Sequence, residues 1–197
     1  MKKLGLLLCL ALLAACSSEP PPQVVKPVIE LTPRYNLDVL MVSVVDHSPS
    51  PATDSPYNTN DFKPTLAAAI NQALTQRLIA VGTTGQALVT ITDASLKSEP
   101  IPHKEDDWFE RPQASKYIAH AAVSMQIDGR EGQGQVNAEA SRYVTLPLNP
   151  TTLERQNAYY TVMNGLLHDL GVDLSRAIES HINRFIVTAP LMGTGSN

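Results

Sequence analysis

Residues 116–146 read KYIAHAAVSMQIDGREGQGQVNAEASRYVTL, and the hydrophobic pattern of this stretch decides the fold. Apolar side chains occupy alternate positions on both sides of a short glycine-rich segment, residues 129–134, as strands with one buried face require. These apolar positions are Tyr117, Ala119, Ala121, Val123, Met125 and Ile127 before the glycines, and Val136, Ala138, Ala140 and Val144 after them. The stretch predicts a β-hairpin with one apolar face and one polar face.

Two apolar stretches upstream of the hairpin predict two further strands. Residues 37–45, LDVLMVSVV, are apolar nearly throughout and rich in β-branched side chains, which is typical of a buried strand. Residues 87–97 place Val89 and Ile91 on one face of a second strand. Together with the hairpin, these segments give a sheet of about four strands.

An amphipathic segment between the first two predicted strands predicts a helix. Its apolar side chains recur every four residues, which places them on one helical face. Asn60 and Asp61 are suited to cap the start of this helix, and Gly82 is suited to end it. The apolar positions are Phe62, Leu66, Ile70, Leu74 and Leu78.

A second, longer helix is predicted after the hairpin. Thr151 and Glu154 have the spacing of a capping box, in which each residue bonds the other's backbone amide. A continuous apolar stripe follows from Met163 to Phe185. Gly171, near the middle, is compatible with a bend or a break in the helix. The stripe is expected to cover the apolar face of the sheet.

Length and composition are consistent with one packed domain. The chain has 197 residues, 43% hydrophobic and 17% charged, which supports a core and argues against wholesale disorder. The net charge of -4 argues against a general nucleic-acid binder, and no nucleic-acid partner is predicted. The predicted fold is α+β over residues 37–188, a mainly antiparallel sheet with two helices packed on one face in the order β-α-β-β-β-α. Residues 189–197 are predicted to form a disordered tail.

The first sixteen residues, MKKLGLLLCLALLAAC, have the pattern of a bacterial lipoprotein signal peptide. A basic start precedes an apolar run that is too short to span a bilayer. The small residues before Cys16 resemble a lipobox. This resemblance implies removal of residues 1–15 and attachment of a diacylglycerol and an acyl chain, such as palmitate, to Cys16. Two other interpretations are an ordinary secretory signal with a chance cysteine and a cytosolic apolar N-terminus.

Residues 16–36 predict a tether between the lipid and the domain. Five prolines favour an extended, polyproline-like backbone, although residues 28–31 are also compatible with an edge strand. Ser17 stands where aspartate would indicate retention at the inner membrane of enteric bacteria, which favours the outer membrane, with the domain facing the periplasm. Cys9 falls in the removed segment, so no intramolecular disulfide is predicted in the mature chain.

The chain resembles the YajG-type family of bacterial lipoproteins. The resemblance rests on the lipobox, the tether KPVIELTPR at 26–34, the strand-loop-helix pattern of 37–82, the hairpin, and MNGLLHDLGVDLSRAIESHINRFI at 163–186. It implies a small outer-membrane-anchored periplasmic lipoprotein with no established enzyme activity. The acidic insert around Trp108 has no counterpart in this resemblance.

The acidic insert contains the candidate partner-binding residues. Trp108 and Phe109 stand among charged residues, and exposed aromatic side chains often anchor protein partners. The alternative is that both rings fold back against the sheet edge or the core. The nearby metal-capable side chains lack the spacing of a defined metal site, so a solvated acidic loop and no metal are predicted. These side chains are His103, Glu105, Asp106 and Asp107.

No motif predicts catalysis or a bound cofactor, and the chain is not predicted to be an enzyme. The adjacent residues Asp46, His47 and Ser48 cannot by themselves supply the geometry of a catalytic triad, and no nucleophile elbow occurs. The predicted function is a lipid-anchored accessory or structural module that presents its domain to an envelope partner. The alternative is a binding module for an envelope glycan or lipid, which an apolar cavity between sheet and helices would favour. The oligomeric state is left open.

Overall fold

The computed structural model describes residues 23–29, 31–49, 62–101 and 113–187. Six strands and two helices lie in these ranges, and a short 3-10 turn at Asn183–Phe185 follows the second helix. The strands are β1 (Tyr35–Leu37), β2 (Met41–Asp46), β3 (Leu78–Ala80), β4 (Gln86–Pro100), β5 (Gln113–Gly129) and β6 (Gly132–Pro147). The helices are α1 (Leu66–Arg77) and α2 (Thr152–His181).

The main sheet has the strand order β2-β4-β5-β6. The β4–β5 and β5–β6 pairs are antiparallel, and β2 is parallel to β4. Parallel neighbours need a crossover connection, which α1 supplies between β2 and β4. The predicted α+β class, with a four-stranded sheet and two helices, is confirmed.

The predicted β5–β6 hairpin is also confirmed, with Gly129 opposite Gly132 at its turn. Gly132 has a φ of 95°, a backbone conformation that glycine adopts at little cost. The alternating side chains from Tyr117 to Ile127 are buried, and those on β4 and β6 that share their face are buried with them. Both helices pack against this face, and their buried side chains complete the hydrophobic core.

The predicted first strand, residues 37–45, is divided in the structure. Leu37 is the last residue of β1, which pairs in parallel with β3, and residues 41–45 belong to β2 in the main sheet. Leu37 also bridges Ile186, and the Asp38 amide donates to the Phe185 carbonyl at 2.8 Å. The chain turns between β1 and β2 because these two parts pair with different neighbours.

The predicted ends of the first helix are wrong. Thr65 caps the start of α1, its hydroxyl accepting from the Ala68 amide at 3.3 Å, and α1 ends at Arg77 with β3 following directly. Gly82 therefore does not end the helix. It lies against the backbone of Asp38, where an added Cβ would stand 2.5 Å from the carbonyl carbon.

The capping box that begins α2 is confirmed. The Thr151 hydroxyl accepts from the Glu154 amide at 3.2 Å, and the Glu154 carboxylate accepts from the Thr151 amide at 2.7 Å. The helix then continues for 30 residues. Gly171 does not interrupt it; instead, the missing side chain makes room for Leu31 and Arg77, which lie about 3 Å from where a Cβ would stand.

An aromatic cluster holds the first half of α2 against the chain that leads into α1. Phe62 stacks on Tyr159 with ring centroids 4.5 Å apart. The Tyr159 hydroxyl donates to the Pro64 carbonyl at 2.7 Å, and the Tyr160 hydroxyl donates to the Lys63 carbonyl at 2.8 Å. Burial raises the pKa of Tyr159, so the phenol stays protonated and keeps donating this bond.

Residues 23–29, the described start of the predicted tether, lie along α2 and form no strand. Asn157 and Asn164 of α2 each make two hydrogen bonds to the backbone of this segment. Val25 and Ile29 pack against the core, and Leu31 just beyond the segment is buried in it. This part of the predicted tether is therefore in contact with the domain.

Candidate functional site

The site residues predicted from the sequence lie outside the described residues. This applies to Cys16, to Trp108 and Phe109, and to the acidic cluster at 103–107. Their roles in lipidation, partner binding and solvation stay predictions. The described part of the chain offers different candidates, which lie on the face of the sheet opposite the helices.

The open face of the sheet is polar and rich in side-chain amides. Its residues alternate with the buried ones along β4, β5 and β6, so their side chains point away from the helices. Amides both donate and accept hydrogen bonds, which suits a ligand with many polar groups. The exposed amide residues near the hairpin turn are Gln86, Gln126, Gln133, Gln135 and Asn137.

Two neighbouring grooves lie at the hairpin end of the open face, with volumes of about 530 and 770 Å³. Both include Gln86 and Asp128 in their walls. Leu88 adds an exposed apolar wall to the first groove, and Met41 adds one to the second. Neither groove lies between the sheet and the helices. Their lining suits a polar ligand with some apolar surface.

A second polar group on the open face centres on His120 of β5. Its Nε2 lies 2.9 Å from a Glu139 carboxylate oxygen, and its Nδ1 lies 3.4 Å from Asp93. Because both ring nitrogens face carboxylates, neither is placed to take a proton from a serine hydroxyl. Within the described ranges, no group of three or more His, Cys, Asp or Glu residues is arranged to hold a metal ion.

Residues Asp46, His47 and Ser48 form a turn after β2. The Ser48 hydroxyl donates directly to Asp46 Oδ1 at 2.6 Å, and the Ser48 amide donates to the same oxygen at 2.9 Å. The imidazole of His47 therefore does not stand between the serine and the aspartate. This geometry caps a turn, as aspartate commonly does, and does not activate a nucleophile.

An ion pair fixes α2 against β6. The Arg142 guanidinium makes two bonds to Asp169, one from Nε and one from Nη2, the latter at 2.9 Å. These hydrogen bonds lower the pKa of Asp169 from its ordinary value of 3.8 and raise the pKa of Arg142. A carboxyl whose pKa is lower in the folded state stabilises the fold above its ordinary pKa and loses that effect as the pH falls through the folded value.

Arg142→Gln is therefore expected to raise the pKa of Asp169 toward its ordinary value. The stability difference between the variant and the wild type is expected to shrink as the pH falls through the acidic range. Carboxyl NMR titration measures the first effect, and urea unfolding at neutral and acidic pH measures the second. Arg130→Gln, in the exposed hairpin turn, is the matched control and is expected to leave the Asp169 titration unchanged. An unmoved Asp169 pKa in Arg142→Gln would contradict the assignment.

The comparisons with known proteins give partial structural likeness only. No protein-family model and no curated protein matches the sequence. The chain is similar to the minor lipoprotein from Acinetobacter baumannii, at 15% identity and a TM-score of 0.38, over 76% of this chain and 96% of that one. It is also similar to the rare lipoprotein B from Shewanella oneidensis, at 9% identity and a TM-score of 0.36, over 71% and 94%. An uncharacterized lipoprotein B from Nitrosomonas europaea shares 11% identity at a TM-score of 0.37, over 76% and 94%.

Sequence reasoning missed both the amide-lined grooves and the carboxylate pair around His120. The predicted hairpin could indicate a carboxylate beside His120, because pairing of β5 with β6 places Glu139 diagonally across from His120 on the same face of the sheet. No single stretch of the sequence indicates the grooves, because they form where β2, β4 and the hairpin turn meet. The sequence does indicate that Asn157 and Asn164 can act together, because a seven-residue spacing puts both side-chain amides on one side of a helix.

Proposed function

We propose that the protein is a lipid-anchored accessory lipoprotein of the bacterial cell envelope. Acylated Cys16 holds it at the outer membrane, and the α+β domain is presented to a partner in the periplasm. The observation that carries the proposal is the N-terminal pattern, in which a basic start, a short apolar run and small residues lead directly to Cys16. The resemblance to YajG-type lipoproteins supports the same placement.

The position of the first contact with the domain supports anchoring by lipid. Six residues separate Cys16 from Gln23, where the chain makes its first described contact with α2. An acyl anchor at Cys16 would thus hold a folded domain close to the membrane. Among the described residues, no helix has both the length and the hydropathy needed to span a bilayer.

The proposal includes no catalytic role. His120 has carboxylates at both ring nitrogens, and Ser48 bonds Asp46 directly. Neither arrangement supplies the hydroxyl, base and orienting group that acyl transfer needs. The function is therefore assigned to binding and positioning, with Trp108 and Phe109 as the predicted partner-binding residues.

The second candidate function is binding of an envelope glycan. The amide-lined grooves of the open sheet face favour it, because their walls offer hydrogen-bond donors and acceptors beside the exposed apolar side chain of Leu88. They favour a glycan over a lipid, since an acyl chain needs an enclosed apolar cavity, whereas both grooves are open and the first is lined mainly by polar groups. A glycan bound there would lie at the hairpin end of the sheet.

The test of the proposed function is Cys16→Ala in the native host. The wild-type protein is expected to carry the added mass of a diacylglycerol and an acyl chain and to fractionate with the outer membrane. Cys16→Ala is expected to lose that mass and to leave the outer-membrane fraction, because no acyl chains remain to bury in the bilayer. Intact-mass spectrometry and membrane fractionation provide the two measurements.

Cys9→Ala is the matched control, since Cys9 lies in the predicted removed segment. It is expected to keep both the lipid mass and the outer-membrane location. The proposal fails if Cys16→Ala stays in the outer-membrane fraction and its mature mass differs from the wild type only by the side-chain substitution.

A further inference from the structure

Asn157 and Asn164 bind the backbone of residues 23–29 in the same manner. Asn157 Oδ1 accepts from the Val25 amide at 2.9 Å, and its Nδ2 donates to the Gln23 carbonyl at 2.9 Å. Asn164 Oδ1 accepts from the Val28 amide at 2.8 Å, and its Nδ2 donates to the Lys26 carbonyl at 2.9 Å. Each side-chain amide thus bonds a carbonyl and the amide two residues later, as a neighbouring β-strand does.

The spacing of the two asparagines fits an extended peptide. The two asparagines are seven positions apart, which corresponds to about 10.5 Å along α2. The two bonded sites on the segment are three residues apart, which corresponds to about 9.3 Å in a polyproline-like chain. The distance between the two asparagines along the helix therefore nearly equals the distance between the two bonded sites along the segment. Because all four bonds reach backbone groups, the asparagines select an extended conformation and no particular side chain.

Apolar contacts continue the same interaction. Val25 and Ile29 pack against the core, and Leu31 is 4% exposed. Leu31 Cδ2 lies 3.0 Å from where a Cβ on Gly171 would stand, so the missing side chain leaves room for it. The segment thus runs parallel to α2, from Asn157 near its start to Gly171 beyond its middle.

The path of residues 23–29 determines the end of the domain from which the anchor chain, the residues that lead back to Cys16, leaves. Beyond Leu31 the chain enters β1, in which Leu37 bridges Ile186, and the Asp38 amide that follows donates to the Phe185 carbonyl, past the C-terminal end of α2. The hairpin turn lies at this same end, where Arg184 donates to the Gln133 carbonyl at 2.6 Å. Without the asparagine contacts, the anchor chain would therefore leave from the hairpin end of the domain.

We propose that Asn157 and Asn164 form a binding site for an extended peptide, that residues 23–29 are its occupant, and that occupancy places the anchor at the N-terminal end of α2. The positional consequence rests on the proposed lipidation of Cys16. With the site occupied, Cys16 lies at most about 25 Å from Gln23, the length of a fully extended chain between them. With the site empty, Cys16 lies at most about 68 Å from Tyr35, and the chain leaves from the opposite end.

Docking of residues 23–29 on the asparagine site also determines which end of the domain faces away from the lipid anchor. The hairpin end lies about 37 Å along α2 from Asn157, taken to Ile182, because each helical residue advances about 1.5 Å. Both amide-lined grooves are at that end. Docking of residues 23–29 therefore leaves the groove-bearing end as the free end of the anchored domain, away from the point where the lipid chain attaches.

The test is hydrogen exchange on the full mature protein, purified from its native host in detergent micelles and resolved by overlapping peptides. The Val25 and Val28 amides are expected to be protected in the wild type. In Asn157→Ala/Asn164→Ala they are expected to exchange roughly tenfold faster or more, because each loses its acceptor. Asn137→Ala, on the open face of the sheet, is the matched control and is expected to leave both amides protected.

Single variants keep the test informative if the double variant does not fold. Asn157→Ala alone is expected to expose the Val25 amide and leave Val28 protected, whereas a general loss of fold would expose the sheet amides as well. Unprotected Val25 and Val28 amides in the folded wild type would overturn the inference.

The mass of the N-terminal peptide is read in the same experiment and tests lipidation separately. Absence of lipid with both amides protected would refute the proposed function and leave the peptide site standing.

Discussion

Arg77→Ala is expected to lower the free energy of unfolding by about 3 kcal/mol, the range found for truncation of large buried side chains. Arg77 is among the largest fully buried side chains of the described residues. Its Nη1 donates to the Gly171 carbonyl at 2.9 Å, its Nη2 bonds Ser175, and its guanidinium lies 5.2 Å from the centre of the Tyr35 ring. Truncation leaves a cavity where α1, α2 and β1 meet.

Arg77→Met is expected to cost less than about 1 kcal/mol, because an apolar side chain of similar length fills the same space without a buried charge. Burial lowers the pKa of Arg77, which shows that desolvation disfavours the charged form, although Tyr35 and Glu179 oppose the shift. Arg77 Nε is buried without a hydrogen-bond partner among the described residues. The Gly171 carbonyl keeps a donor in either variant, since the Ser175 hydroxyl reaches it at 2.9 Å.

Urea unfolding of the wild type and both variants at neutral pH measures these differences. Equal losses in Arg77→Ala and Arg77→Met would contradict the prediction, because they would assign the stabilisation to the hydrogen bonds of the guanidinium. A loss confined to Arg77→Ala would assign it to packing. The slope of unfolding free energy against urea concentration must stay the same for the comparison to hold.

Gly82→Ala is expected to destabilise the fold by about 3 kcal/mol, near the upper end of the usual cost of overpacking. The added Cβ would stand 2.5 Å from the carbonyl carbon of Asp38 and 2.5 Å from the amide nitrogen of Val39. Both are backbone atoms, so no side-chain rotation relieves the contact. The corner between β1 and β2 would have to move away from the segment after β3.

Gly165→Ala is the matched control, since the nearest atoms to its added Cβ are 3.7 Å away, on the Arg142 side chain. Gly165 lies inside α2, where alanine is favoured over glycine by up to about 1 kcal/mol. The two substitutions are therefore expected to shift the midpoint of thermal unfolding in opposite directions. A stabilising Gly82→Ala would mean that the β1–β2 corner is free to move.

The sequence pattern predicted the elements whose structure depends on near neighbours. Alternation over residues 117–127 is a direct consequence of strand geometry, so β5 and its buried face could be derived without tertiary information. The capping box at Thr151 and Glu154 depends on four consecutive residues and was correct for the same reason.

The elements that were wrong depend on distant partners. Residues 37–45 read as one strand because their apolar character is continuous, yet β1 pairs with β3 and bridges Ile186, far away in the chain. Gly82 has the local character of a helix end, and only its approach to Asp38 reveals its role. No local pattern indicates the burial of Arg77, which stands in the last turn of α1 and is covered by contacts from α2 and β1.

The candidate site was less accessible to sequence reasoning than the fold. Lipidation at Cys16 is a short linear pattern and can be predicted from the chain alone, although the residue lies outside the described ranges. The amide-lined grooves require several strands to converge, so no single stretch indicates them. The spacing of the asparagine pair puts both side chains on one side of α2, but their partner segment lies more than 130 positions earlier in the chain, so no local pattern identifies it.

The contacts of residues 36–38 with residues 185–187 constrain the order in which the molecule folds. The Asp38 amide donates to the Phe185 carbonyl, and the Val187 amide donates to the Asn36 carbonyl, both at 2.8 Å. During synthesis the N-terminal residues emerge first, and long-range contacts form slowly because a long loop must close. Strand β1 can pair with β3 early, but residues 36–38 gain their contacts with residues 185–187 only after the last helix has been synthesised. A nascent chain that stops before α2 therefore exposes the apolar face of the hairpin and leaves these contacts of residues 36–38 unmade.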